Sequence, residues 1–147
     1  MPKIVDHDAQ RVRFAQAAIR LLARDGFEGM TMRAVAAEAG LSYGSLFHYF
    51  DSKDQLLIHA VRHLTAQQSR RVNDFSSRSR GLGALRRLLY DDALVDASSR
   101  DEAVVWLAFL SRAALEPALA RIHSDLIDGW LERIRQMLDE ARAAGEV

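Results

Sequence analysis

The chain has 147 residues, of which 20 are basic, 20 are acidic and none is cysteine. Its 49% apolar and 27% charged residues are ordinary for one globular domain, or for a small module with a helical body. The missing cysteines exclude disulfides and thiolate metal ligands, and no apolar run resembles a secretory signal or approaches the roughly 18 residues of a membrane-spanning helix. We therefore expect a cytoplasmic protein that does not enter a membrane.

The first predicted helix runs from about Asp8 to Asp25 and ends at Gly26. Its apolar residues recur at helical spacing, at Val12, Ala15, Ile19 and Leu22. We expect this helix to form the floor of a small N-terminal domain.

A stretch of two short helices joined by a tight turn is predicted to follow, between residues 31 and 53. Thr31 can cap the first helix, Gly40 can end it in the left-handed conformation, and Ser42 can cap the second. This pattern is typical of a helix-turn-helix motif, whose second helix enters the major groove of DNA.

The second helix of this motif places Leu46 and Phe50 four residues apart, so we expect both to face inward, and we interpret Phe47 as a packing residue too. Charge adds little to a DNA-binding interpretation, because residues 1–55 carry seven basic and seven acidic residues. However, no acidic residue occurs from residue 39 to residue 50, and the helix ends near Thr31 and Ser42 can offer backbone amides to phosphates.

A long helix is predicted from residue 53 to residue 75. Ser52 and Gln55 fit a capping box, in which the Gln55 side chain reaches back to the Ser52 amide. Residues 76–83 are predicted to form a loop, because glycine and serine interrupt the helical spacing.

Three further helices are predicted in the second half of the chain. One contains Leu85 and Leu88, one covers residues 104–110, and one runs from Pro117 to about Ala143. The middle helix is apolar on nearly all sides, so we expect it to be central. With no strand pattern or repeat, the predicted fold class is all-α.

Two parts of the sequence resemble one family. Gly-Phe-Glu-Gly-Met-Thr-Met-Arg-Ala-Val-Ala at 26–36, and Ala-Gly-Leu-Ser-Tyr-Gly-Ser-Leu-Phe-His-Tyr-Phe-Asp-Ser-Lys-Asp-Gln-Leu-Leu at 39–57, resemble the DNA-binding domain of TetR/AcrR transcriptional regulators. Val-Trp-Leu-Ala-Phe-Leu-Ser-Arg-Ala at 105–113 and the segments around residues 116–123 and 130–134 resemble the regulatory domain of the betaine-pathway repressor subgroup. The resemblance implies a three-helix DNA-binding domain at 1–52 and an effector-binding and dimerisation domain at 53–147, linked by the helix at 53–75.

The resemblance also implies which residues contact DNA. Base-edge and nearby contacts fall on Arg33, Tyr43, Gly44 and Ser45. Phosphate contacts fall on Ser42, His48, Tyr49 and Lys53, and Thr31 belongs to the same surface as the cap of the first helix. An arginine can read guanine with two hydrogen bonds, and tyrosine hydroxyls and lysine ammonium groups suit phosphate oxygens.

An effector cavity is expected in the second domain, because such cavities are mostly apolar with a few polar groups. Its candidate residues are five aromatic residues, one arginine and one histidine: Phe75, Tyr90, Trp106, Phe109, Arg112, His123 and Trp130. An aromatic residue at helical spacing is more often a core residue than a ligand contact, so the core interpretation of each of them stays open. The subgroup resemblance suggests a choline-like cation held between Trp106 and Trp130.

The predicted function is that of a repressor, which as a homodimer binds a pseudo-palindromic DNA operator and is released from it by a small-molecule effector. A helical protein-interaction module without DNA binding and an all-α enzyme are the alternatives. His59 and His63 have the spacing of a metal-binding pair but lack a third ligand, and no catalytic group is recognisable. We therefore predict no enzyme activity, no metal and no cofactor.

Members of the family continue beyond the terminal Ala-Gly-Glu-Val into a further helix that pairs across the dimer. The chain stops at Val147. The resemblance therefore implies either that this helix is missing or that the protein dimerises differently.

Overall fold

The computed structural model describes residues 6–76, 79–93 and 100–147, apart from the side chains of Phe75 and Ser76. These ranges contain seven helices and no strand, which confirms the all-α prediction. The helices are α1 (His7–Gly29), α2 (Met32–Ala39), α3 (Tyr43–Phe47), α4 (Lys53–Ser76), α5 (Leu82–Asp92), α6 (Arg100–Ala113) and α7 (Pro117–Ala143). None of the described helices is long and apolar enough to cross a membrane.

The chain divides into two compact units. The first comprises Met1–Leu64 together with Arg100–Phe109, and the second comprises Thr65–Ser99 together with Leu110–Val147. The helix α4 begins in the first unit and ends in the second.

Helix α1 begins at a side-chain cap and is interrupted where a stop was predicted. A carboxylate oxygen of Asp6 accepts hydrogen bonds from the amides of Asp8 and Ala9, at 3.1 and 3.0 Å. Gly26 leaves the helical conformation with a φ of 71° and a ψ of −175°, so the segment beyond it forms a separate turn. The side chains of α1 that are buried are Phe14, Ala15, Ala17, Ala18, Leu21 and Leu22.

The two caps predicted for the helix-turn-helix motif are present. Thr31 Oγ1 accepts from the Ala34 amide at 3.1 Å, and Ser42 Oγ accepts from the Ser45 amide at 3.0 Å. Gly40 ends α2 in the left-handed conformation, with a φ of 64°. These local interactions fix where α2 stops and α3 starts, as the sequence predicts.

The turn between α2 and α3 is also held from α1. Arg13 Nη2 donates to the carbonyl oxygen of Ala39 at 2.7 Å, which satisfies a carbonyl at the C-terminal end of α2. Leu46 and Phe50 are buried, as predicted.

The predicted capping box at the start of α4 is only half present. The Gln55 amide donates to Ser52 Oγ at 3.2 Å, but Gln55 Oε1 accepts from the Asp51 amide at 2.9 Å instead of from the Ser52 amide. The Gln55 side chain therefore reaches one residue further back than we predicted.

In the second unit, α5 packs against α7. Its core contains Val72, Ala84, Leu88 and Met137, with Leu85, Trp130 and Ile134 packed against it. The prediction of a loop over residues 76–83 was wrong at its end, because α5 already begins at Leu82. Distant acids accept from its first amides: Glu140 Oε2 from Gly81 at 3.3 Å and Glu146 Oε2 from Leu82 at 2.7 Å.

The expectation that α6 is central was also wrong in part. Val105 and Phe109 are fully buried, but Leu107 is 67% exposed and Leu110 is 41% exposed. Residues four apart on a helix share one side, so burial of Val105 and Phe109 covers a single stripe and leaves the other apolar side chains outside. Helix α7 does have its predicted limits, with Pro117 in its first turn and Gly145 at a φ of 71° beyond its end.

Candidate nucleic-acid interface and body cavity

Three exposed side chains form a connected ridge on the helix-turn-helix motif. The Arg33 guanidinium carbon lies 4.8 Å from the ring centroid of Tyr43, and the Tyr43 and Phe47 rings meet edge to face with centroids 4.9 Å apart. Tyr43 is 40% exposed and Phe47 is 45% exposed. We call Arg33, Tyr43 and Phe47 the recognition ridge.

Our interpretation of Phe47 as a packing residue was therefore wrong. In a helix, residues 43 and 47 lie on one side and residues 46 and 50 on another, so Phe47 goes with Tyr43. That spacing was available in the sequence, but the aromatic and apolar residue types on both sides obscured it. The structure adds Phe47 to the candidate DNA-binding residues.

Small and polar residues surround the recognition ridge. Gly44 is exposed, and a Cβ atom built on it would meet no atom within 4 Å. Thr31, Ser42 and His48 are exposed as well. The backbone around Gly44 is therefore open to a close approach by a large partner.

Tyr49 is held by α1. Its hydroxyl donates to Gln10 Oε1 at 2.8 Å and lies 2.6 Å from His7 Nδ1, and its ring packs on Phe14 with centroids 5.8 Å apart. The Ser45 hydroxyl donates to the same Gln10 oxygen at 3.4 Å. Tyr49 and Ser45 thus form hydrogen bonds inside the first unit, with partners that the sequence did not indicate.

Lys53 also has partners inside the fold. Its Nζ lies 4.2 Å from the ring centroid of Phe27 and donates to the carbonyl oxygen of Glu28 at 3.5 Å. The ammonium group therefore packs on the turn that follows Gly26, with its side chain half-buried.

Two titratable groups in the first unit have pKa values below their ordinary ones. The hydrogen bond from Arg20 Nε, at 2.7 Å, lowers the pKa of the Glu38 carboxyl, and Arg24 lies 3.7 Å from the same carboxyl group. Burial lowers the pKa of His59, whose Nε2 donates to the carbonyl oxygen of Arg11 at 3.1 Å. Both contacts tie α1 to another helix of the first unit.

The predicted effector residues occupy different places. In the first unit, the rings of Trp106 and Phe109 meet with centroids 6.0 Å apart, and Phe109 is fully buried. In the second unit, Arg112 Nη2 lies 3.8 Å from a carboxylate oxygen of Glu116, and His123 is half-buried. The side chain of Phe75 lies outside the described residues.

Tyr90 and Trp130 line two separate hollows of the second unit. Tyr90 lies on an open groove of about 650 Å³ along α5, together with Leu82, Leu85, Arg86, Leu89 and Ala93. Trp130 lines a smaller cavity of about 220 Å³. The lining of this α4–α7 cavity comprises Thr65, Gln68, Ser69, Leu88, Asp125, Leu126, Gly129, Trp130 and Arg133.

A half-buried carboxylate supports the wall of the α4–α7 cavity. One oxygen of Asp92 accepts from Gln68 Nε2 and the other from Trp130 Nε1. Burial raises the pKa of Asp92. Next to them, Arg133 donates to Ser69 Oγ at 2.7 Å. Apart from Trp130, no pattern in the sequence indicates this cavity, because its polar lining residues come from two different helices, α4 and α7.

A capped two-helix motif with an acid-free second helix and an exposed arginine–aromatic ridge defines a helix-turn-helix transcriptional regulator. Residues 15–60 match the model of the tetR family of bacterial regulatory proteins, and residues 82–147 match that of the C-terminal domain of BetI-type transcriptional repressors. The chain belongs to the TetR family. Because the family consists of transcriptional regulators, the chain is not an enzyme, and nothing supports an interaction module without DNA binding.

Curated relatives extend over most of the chain. It is 30% identical over 142 residues to the HTH-type transcriptional regulator PksA of Bacillus subtilis, covering 96% of this chain and 69% of PksA. It is 34% identical over 130 residues to the regulator BetI of Burkholderia lata, covering 83% of this chain and 64% of BetI. The chain thus spans about two thirds of the length of these relatives.

Solved structures show the same fold. A transcriptional regulator from Saccharomonospora viridis in complex with choline is 26% identical, with a TM-score of 0.77 over 95% of this chain and 73% of its own. A transcriptional regulator from Rhodococcus sp. Rha1 is 32% identical, with a TM-score of 0.70 over 81% of this chain and 64% of its own.

Proposed function

We propose that two copies of this protein bind a pseudo-palindromic operator in the cytoplasm, repress transcription there, and leave the DNA when a small molecule binds. In this proposal residues 1–52 form the DNA-binding domain and residues 53–147 the effector-binding and dimerisation domain. The segment 53–75 links the two.

The observation that carries the proposal is the recognition ridge. The exposed guanidinium of Arg33 packs on the Tyr43 ring, which limits its freedom before DNA arrives and so lowers the entropy cost of binding. A guanidinium held in this way can donate two hydrogen bonds to a guanine, and the exposed ring of Phe47 can contact a thymine methyl group. Gly44 lets the backbone of α3 approach the groove.

Phosphate contacts would position the ridge on the duplex. The exposed side chains of Thr31, Ser42 and His48 are suited to this role, and so is Lys53 if its ammonium leaves the Phe27 ring. Tyr49 and Ser45 would contribute mainly by holding α3 on α1, because their hydroxyls bind Gln10.

Two observations support the effector proposal: relatives have been crystallised with small molecules, and the second unit contains a cavity. The Saccharomonospora viridis regulator holds choline, and the multidrug binding protein EbrR, which is 29% identical, was crystallised with imidazole. The α4–α7 cavity, with Trp130 in its wall, has the size for a ligand of this kind. Phe75, Trp106, Phe109, Arg112 and His123 are kept as effector contacts proposed from the sequence. Tyr90 would contact a ligand in the separate groove along α5.

The helix α4 would transmit the binding event. It is continuous from Lys53, next to the motif, to residues Thr65, Gln68 and Ser69 in the cavity wall. An effector that binds more tightly to one conformation, defined by the position of α4, would increase the fraction of dimers in that conformation. The two recognition helices would then no longer match half-sites about 34–36 Å apart.

The test is fluorescence anisotropy with a labelled duplex from the region upstream of its own gene, and a scrambled duplex of the same composition as the control. We expect at least about a thousandfold preference for the upstream duplex, the lower end for specific DNA-binding proteins. Equal affinity for both duplexes, measured on the full chain at two salt concentrations, would refute sequence-specific repression at this operator.

A further inference from the structure

The α4–α7 cavity contains a guanidinium whose hydrogen bonds go to neutral groups. Arg133 donates to Ser69 Oγ at 2.7 Å and to Asn73 Oδ1 at 3.4 Å, and it forms no ion pair with any carboxylate of the described residues. A guanidinium has five N–H donors, so part of its fork remains for another acceptor. Its positive charge is therefore available to an anionic group in the cavity.

The half-buried carboxylate of Asp92, beside this cavity, does not fill that role. Both oxygens of Asp92 are engaged, one by Gln68 and the other by Trp130. Two neutral donors thus bind Asp92 directly, while Arg133 donates no hydrogen bond to it and acts on it only through its charge, at longer range. Burial raises the pKa of Asp92. Charges that are partly removed from water interact more strongly than charges in bulk water.

A carboxylate lies at the other end of the same wall. Asp125 is two helical turns before Arg133 on α7, and Gly129 lies midway between them, so the three residues share one side of the helix. The Cα atoms of Asp125 and Arg133 are about 12 Å apart along the axis. Both side chains lean toward the N-terminus of the helix, and because arginine is the longer of the two, the separation of the charged groups is shorter than that of the Cα atoms. Gly129 leaves open space between the two charges.

The size of the cavity limits the ligand. Its volume of about 220 Å³ is below the range of about 300–1,000 Å³ that is usual for sites of drug-sized ligands, so we expect a smaller molecule. A simple cation would bind Asp125 but face the charge of Arg133, and a simple anion would bind Arg133 but face Asp125. A small molecule with both charges satisfies both ends.

We propose that the α4–α7 cavity binds a small zwitterion, with its anionic group on Arg133, its cationic group on Asp125, and its carbon chain against Gly129 and Trp130. This inference rests on the proposed function, because it assigns the chemical class of the effector to that site.

The test uses a series of ω-amino acids from glycine to 6-aminohexanoate, in which the distance between the charges grows with each methylene. Calorimetric titration of the full chain should show a single best length. That compound should bind about tenfold or more tightly than the alkylamine and the alkanoate of equal length, because each of these loses one charge-assisted contact.

Two variants locate the charges. Asp125→Asn should reduce the affinity for the best zwitterion to that for the alkanoate, and because Asp125 is exposed the variant should fold normally. Arg133→Gln should reduce the affinity for the best zwitterion to that for the alkylamine. Arg133→Lys should restore part of the preference for the zwitterion over the alkylamine. The matched control is Arg135→Gln, on the exposed side of α7, which should leave the affinity unchanged.

Other outcomes would overturn the inference. If choline or an alkylamine binds as tightly as the best zwitterion and Arg133→Gln does not weaken the zwitterion, the cavity is a cation site. If no compound of the series binds, the zwitterion site is absent, and operator binding by the same preparation still decides the repressor function. A zwitterion that binds but leaves operator affinity unchanged refutes the effector role alone.

Discussion

The hydroxyl of Tyr49 lies 2.8 Å from Oε1 of Gln10, a residue 39 positions earlier in the chain. This hydrogen bond joins the start of α1 to the residues just after α3, and the Ser45 hydroxyl donates to the same oxygen. The residue that the family resemblance assigns to a phosphate is therefore also a structural link between two helices.

The first prediction concerns this link. Tyr49→Phe keeps the ring on Phe14 and removes the hydroxyl, so it should lower the free energy of unfolding by about 1 kcal/mol in urea titrations. Gln10→Ala should act through the same bond, so the double variant should be less destabilised than the sum of the two. The control is Tyr90→Phe, at an exposed ring. Strictly additive effects would mean that the hydroxyl and Gln10 do not cooperate.

The second prediction compares two neighbours on α3. Leu46→Ala should destabilise the protein by about 2–5 kcal/mol, because Leu46 is fully buried. Phe47→Ala should change the free energy of unfolding by no more than about 0.5 kcal/mol, yet weaken operator binding. Denaturation and anisotropy measure the two effects separately. A large loss of stability in Phe47→Ala would instead support the interpretation of Phe47 as a packing residue.

The third prediction concerns base recognition. Arg33→Ala should cost about 1–3 kcal/mol of operator binding and relax the preference for one base pair, because a bidentate contact to guanine is lost. Arg135→Ala removes an equally exposed arginine from α7 and should leave operator affinity unchanged. Binding to a set of operators with single substitutions measures the preference. If all of them weaken equally, Arg33 contacts a phosphate instead.

The fourth prediction concerns pH. Burial lowers the pKa of His59 in the folded protein, so between that pKa and the ordinary histidine pKa of about 6.5 the unfolded chain binds more protons than the folded one. The free energy of unfolding should therefore fall as the pH drops below 6.5 and level off below the folded pKa. His59→Gln should reduce this slope in urea titrations between pH 5 and pH 8. Equal slopes in both proteins would assign the pH dependence to other groups.

The fifth prediction concerns the start of α5. Glu146→Ala removes the acceptor of the Leu82 amide and should cost about 0.5–2 kcal/mol, as other lost helix caps do. Glu132→Ala removes an exposed carboxylate that pairs with Arg135 and is the matched control. If both variants unfold at the same urea concentration, the contact does not stabilise α5.

Features that depend on neighbours in the chain were predictable. The caps at Thr31 and Ser42 and the breaks at Gly26 and Gly40 follow from residue types within four positions. Interactions between distant residues were not: no pattern in the sequence pairs Gln10 with Tyr49.

The start of α5 was missed for the same reason. A glycine-rich segment favours a loop, but the carboxylates of Glu140 and Glu146, about 60 residues later, accept from the first amides of α5. The cavity was beyond prediction because its wall combines α4, α5 and α7. Periodicity identifies the buried side of each helix but not which polar groups of different helices converge.

The hydrogen bond between Trp130 and Asp92 gives the protein an intrinsic optical reporter. The chain has two tryptophans, and Trp106→Phe leaves Trp130 as the only one. The indole N–H is bound to a carboxylate in the supporting wall of the cavity. Its emission wavelength and lifetime should therefore change when the cavity is filled, so occupancy can be followed in real time, without a label, while the protein is still on DNA.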